Sequence, residues 1–166
     1  MKKLIVIFSL LALELLLLTF LVTYEKKPPS VEDVDSFVAE NWSDISTVND
    51  YLLDLGARDA YITRSNGSIL IDLDRLKIED DAVMKAVRSL WKNGCKGIDM
   101  HIERNAISYT IWTRLSSQAA CGFEYAIDHS LIPEAQYQTE LVPLSEDGWY
   151  YYLAEYEKWR VEQQKK

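Results

Sequence analysis

The sequence predicts an α+β protein: an N-terminal transmembrane helix, then a single domain with a mainly antiparallel sheet and helices packed on it. Three observations lead there. The chain opens with an apolar run from Leu4 to Tyr24. Two segments alternate polar and apolar residues on either side of a tight-turn signal. Stretches with helical spacing precede each of these hairpins and close the chain.

The apolar run follows Met1-Lys2-Lys3 and counts 21 residues. As a helix at roughly 1.5 Å per residue it is about 32 Å long, enough for a bilayer core of about 30 Å. It exceeds an ordinary signal-peptide h-region, and no Ala-x-Ala follows it. Residues 1–24 therefore read as an uncleaved signal-anchor and 25–29, with Pro28 and Pro29, as a short stiff linker. Residues 30–166 read as one acidic soluble domain. Lys2, Lys3 and the free amino terminus against Lys26 and Lys27 place the domain outside the cell membrane, on a single-pass topology. Glu14 is a polar residue embedded in the span, where a charge costs several kcal/mol. It reads as a neutral carboxyl tolerated among leucines, with a partner contact inside the membrane as the functional alternative.

Setting aside residues 1–24, which hold Lys2, Lys3 and Glu14, leaves 16 basic and 25 acidic residues, a net charge of −9. Such a surface repels phosphate backbones, which excludes a nucleic-acid role. Five Trp and ten Tyr argue for a packed core rather than disorder. Two cysteines in no zinc-like spacing indicate neither a disulfide framework nor a metal site. No cofactor motif is present.

Ser30 with Asp33 forms a capping-box pattern, so a helix starts near Val31. A second helical stretch restarts at Ser43 or Ser46 and is closed by Gly56. Asn66-Gly67 predicts a two-residue hairpin turn, which pairs Ile62 with Ile71 and Ala60 with Leu73. Asp80 and Asp81 open a helix that runs to Asn93 and stops at Gly94, with Val83, Val87, Leu90 and Trp91 on one side. Its other side carries Lys85, Arg88 and Lys92, continued by Lys96, a stripe read as a solvated face. A second hairpin joins Gly97–Glu103 to Ala106–Leu115 through Arg104-Asn105. It pairs Ile102 with Ile107, Met100 with Tyr109 and Ile98 with Ile111. Cys121 to Ile127, Tyr137 to Leu144 and Trp149 to Leu153 alternate as further strands, and Ala154 to Gln163 forms a terminal helix.

The polar face of the second hairpin groups Asp99, His101 and Glu103 with Ser108 and Thr110. An Asp-His-Ser set suggests a triad, but neighbours on a strand face lie side by side by construction, and a triad also needs a pocket and an oxyanion site. One imidazole flanked by carboxylates is too open a set for a metal. No catalytic or metal-binding residue is assigned. In the final strand Trp149, Tyr151 and Leu153 point inward. That leaves Tyr150 and Tyr152 outward, where, with Trp159, they are candidate binding residues for a protein or glycan partner. The functional expectation is a membrane-anchored binding module at the cell envelope, in preference to a small membrane-tethered hydrolase.

Overall fold

The computed structural model describes residues 27–62, 68–71, 74–114, 118–134 and 137–164. The expected anchor, Glu14 and the Asn66-Gly67 turn lie outside them. No helix among the described residues is long and apolar enough to cross a membrane.

Ser30 caps α1 (Val31–Glu40): its hydroxyl accepts from the Asp33 amide at 3.2 Å, while the Asp33 carboxylate accepts from the Ser30 amide at 3.0 Å. This is the reciprocal arrangement that the sequence predicts. After one break at Asn41 the chain continues as α2 (Trp42–Asp54), one residue ahead of the earlier of the two expected serine starts. Asn41 is buried and serves as a junction. Its amide group donates to the Phe37 carbonyl at 2.8 Å, and its Oδ1 accepts from Asn93 at 2.7 Å. α3 (Asp81–Lys92) is capped by Asp80, whose carboxylate accepts from the Ala82 and Val83 amides. Gly56 and Gly94, the expected helix stops, both adopt positive φ.

Among the described residues, eight strands form one antiparallel sheet: β1 (Asp59–Ile62), β2 (Ser68–Ile71), β3 (Asp74–Lys77), β4 (Gly97–His101), β5 (Ala106–Arg114), β6 (Ala119–Ala126), β7 (Gln138–Pro143) and β8 (Trp149–Glu155). Their order is β3-β2-β1-β4-β5-β6-β8-β7. A last helix, α4, spans Tyr156–Gln163. The α+β class and the antiparallel sheet stand as expected. β3 was not anticipated.

Both hairpins pair two residues out of the expected register. Ala60 faces Ile71 and Ile62 faces Ile69. Met100 faces Ile107 and Ile98 faces Tyr109. An even slip keeps each side chain on its face, so the division into two faces survives. Ile102 leaves the strand for a 3₁₀ turn, Ile102–Arg104, and is 44 % exposed.

The core lies between the helices and one sheet face. Val34, Val38, Ile45, Val48, Leu52, Val87 and Leu90 pack there against Ile98, Met100, Ile107, Tyr109, Phe123, Trp149 and Tyr151. Burying each aliphatic side chain contributes about 1.5–3 kcal/mol before entropy is counted. Tyr109 and Phe123 stack at 4.7 Å at its centre. Cys95 and Cys121 are buried thiols, not joined in a disulfide. The sheet order puts one intervening strand, β5, between the strand that follows Cys95 and the strand that holds Cys121.

Candidate functional site

On the face turned away from that core, register places Asp99 beside Ser108 and Ser108 beside Glu124. Strand alternation explains why these three share a face: each has an inward apolar neighbour, Ile98 or Met100, Ile107 or Tyr109, Phe123 or Tyr125. Tyr152 on β8 and Gln138 on the edge strand β7 extend the row. Arg104 reaches it from the β4–β5 turn. Together these residues line a cavity of about 170 Å³ above Ala120 and Ala154.

Glu124 is the centre of the site and is only 6 % exposed. Its Oε1 accepts from the Ser108 hydroxyl at 3.0 Å and from the Gln138 amide at 2.8 Å. Its Oε2 is buried and has no hydrogen-bond partner, and neither has the Gln138 Oε1. Burial holds the Glu124 carboxyl above its ordinary value, and the nearby Asp99 charge adds to this. The bonds from Gln138 and Ser108 and the charge of Arg104 pull the other way. A buried carboxylate oxygen without a donor costs free energy, so its presence asks for an explanation.

Tyr152 requires a correction. Alternation does turn it to this face, but it is 5 % exposed and its hydroxyl is bonded to Thr110 at 2.8 Å. It forms the cavity wall rather than a solvent-facing platform, and burial raises its phenol well above the ordinary range. Tyr150 is half-buried beside Glu124 in register. Trp159 joins neither. It packs edge-on to Tyr137 at 4.7 Å and beside Tyr156 at 6.2 Å. Tyr137 in turn lies at Glu155, five residues along β8 from Tyr150, about 16 Å at 3.3 Å per residue. The three expected binding residues therefore occupy two separate places.

His101 lies on the same face, clamped between carboxylates. Nδ1 is 2.6 Å from Asp59 and Nε2 is 3.3 Å from Asp99. Asp99 chiefly, and Asp59 with it, hold the ring above its ordinary pKa, against burial and Arg104. Ser108 bonds to Glu124 rather than to His101, so the Asp-His-Ser set does not assemble into a relay. Among the described residues no acidic, histidine and cysteine grouping fits a metal ion.

Sequence reasoning missed Glu124 and Gln138. The available signal was a lone charge inside the apolar strand Cys121-Gly122-Phe123-Glu124-Tyr125-Ala126. A larger open groove of about 560 Å³ lies against Asp35, Trp42 and Ser145. Of the two carboxylates that line it, Asp35 is already bonded to the Ser145 amide and hydroxyl, and Glu146 is exposed. Comparison with known protein families, curated proteins and solved structures gives no match.

Proposed function

We propose that the protein is a membrane-tethered binding module of the cell envelope, held by residues 4–24, whose sheet face around Glu124 receives a partner. The observation that carries this reading is the asymmetry of the sheet. One face is sealed by α1, α2 and α3, whereas the other presents a polar cavity with an incompletely bonded buried carboxylate. Net charge −9 over residues 25–166 favours a protein partner with a basic surface. A hydrolase finds less support, because both ring nitrogens of His101 are engaged by carboxylates and neither is free to activate a hydroxyl.

The test is photocrosslinking in intact cells. A benzophenone side chain replaces Tyr61 or Tyr150 on the cavity side of the sheet, or Lys85 on the outer side of α3. Light-dependent adducts are expected from the two sheet positions. Adducts from Lys85 alone, or from none of the three, overturn the reading.

A further inference from the structure

We infer that the cavity at Glu124 is a receptor for a primary ammonium group, carried either by a free small amine or by a lysine side chain of the partner. The inference rests on the cavity face being a recognition surface and names the chemistry recognised there.

The argument starts from donors and acceptors. With Glu124 ionised, Gln138 must turn its NH₂ toward Glu124 Oε1, which fixes its carbonyl oxygen as an outward acceptor. Two acceptors, Glu124 Oε2 and Gln138 Oε1, are thus buried without donors on two side chains that line one cavity. A third, the Asp99 carboxylate, lines the same space, with one oxygen already shared with His101 Nε2 at 3.3 Å. An alkylammonium offers three N–H donors and one positive charge, which matches three acceptors of net negative charge. Arg104 also lines the cavity but gives Glu124 Oε2 no hydrogen bond, so it acts on the carboxylate only through space. The size agrees: about 170 Å³ admits an ammonium head and a few methylenes, and is well below the 300–1,000 Å³ of drug-sized sites. A guanidinium has five donors spread over a plane, more than the three acceptors can satisfy.

Protonation of Glu124 removes the charge that the ligand needs. Burial and Asp99 raise this carboxyl, while Gln138, Ser108 and Arg104 lower it, and Tyr152 stands opposite as a neutral phenol. Affinity therefore falls as pH drops through the Glu124 pKa, and binding releases protons at the low end of that range.

The experiment is a chemical-shift titration of the full chain in lipid nanodiscs at pH 8. The probes are n-butylammonium, Nα-acetyl-lysine methylamide, butyltrimethylammonium and calcium chloride. Saturable shifts at Glu124, Gln138 and Tyr152 are expected with the two primary ammonium probes. Tighter binding of the lysine probe identifies a partner lysine as the source, and tighter butylammonium binding identifies a free amine. Glu124→Gln should weaken binding at least tenfold. Glu103→Gln, which removes the same charge from an exposed ion pair with Arg58, should leave it within twofold. The inference is overturned if neither primary amine binds, if the quaternary amine binds equally well, if calcium alone binds, or if Glu124→Gln is without effect. Crosslinking from Tyr61 and Tyr150 together with failure of every amine would retain the binding face and remove the ammonium.

Discussion

At the scale of single residues, polar groups in or near the core decide more than their number suggests. Tyr109 is fully buried, and its hydroxyl donates to Asn49 Oδ1 at 2.7 Å. Tyr109→Phe keeps the stack on Phe123 but leaves a buried Asn49 oxygen without that donor. The expected cost is about 1–3 kcal/mol in urea denaturation, with an unchanged slope. His101 yields a pH prediction. Its folded pKa is raised, so the stability it contributes is fully present below its unfolded pKa of about 6.5 and is lost as pH rises through the folded value. Between pH 6 and 8.5 the wild type should lose stability relative to His101→Gln. The difference should stay below about 1 kcal/mol, because burial and Arg104 oppose the pull of Asp99, and Asp59 is 63 % exposed and screened. Equal pH profiles for the two proteins would remove the carboxylate clamp from the account. Burial pushes the Cys121 thiol up to about 11, which keeps it protonated and unreactive near neutrality.

At the scale of elements, the capped helices were legible in the sequence and the hairpin registers were not. Ser30-x-x-Asp33, Asp80, Gly56 and Gly94 announce helix ends through local bonds that need no tertiary partner. The second hairpin shows what local reasoning lacks. A two-residue turn at Arg104-Asn105 needs positive φ at both residues, and only Asn105 adopts it, at 56°. The chain instead spends Ile102–Arg104 on a 3₁₀ turn and closes through Asn105, which shifts the pairing by two. Asn105 then fixes the loop after β6. Its side chain donates to the carbonyls of Asp128 and Leu131 and accepts from the Asp128 amide. These long-range bonds have no signature in the local sequence. The candidate site was hidden for a related reason: Glu124, Gln138 and Tyr152 come from three strands that meet only through the β6-β8-β7 order. Gly122 offers a sharp test at this scale. A Cβ there would lie 1.8 Å from the Tyr109 carbonyl oxygen, beside the irregular pairing at Thr110 and Trp112. Gly122→Ala should cost about 3 kcal/mol or more. Gly97→Ala, whose Cβ meets only Thr110 at 3.7 Å, should cost about 1 kcal/mol or less. Similar denaturation midpoints for the two variants would contradict the close approach.

At the scale of the whole molecule, the sequence foretold a helix layer on an antiparallel sheet because alternation sorts side chains to two faces whatever the register. It showed which hairpin face is polar but could not reveal that this face would be partly enclosed, since that depends on Tyr152 being covered by its neighbours. The proposed anchor predicts that full-length chain stays in the membrane pellet after carbonate extraction. A soluble species beginning near Tyr24 would remove the tether while leaving the sheet face as described. The seating of α1 carries a consequence for synthesis. The loop before β8 holds it through Asp35 and Ser145, 110 residues apart, and Tyr151 donates to the Pro29 carbonyl just before it. A ribosome adding about 5–20 residues per second needs roughly 5–20 s to cover that interval. Throughout it, the strand that completes the burial of Val34 and Val38 does not yet exist. The first helix made is thus among the last to be seated, and a nascent chain stalled before Ser145 should remain open to protease at α1 where the finished protein is closed.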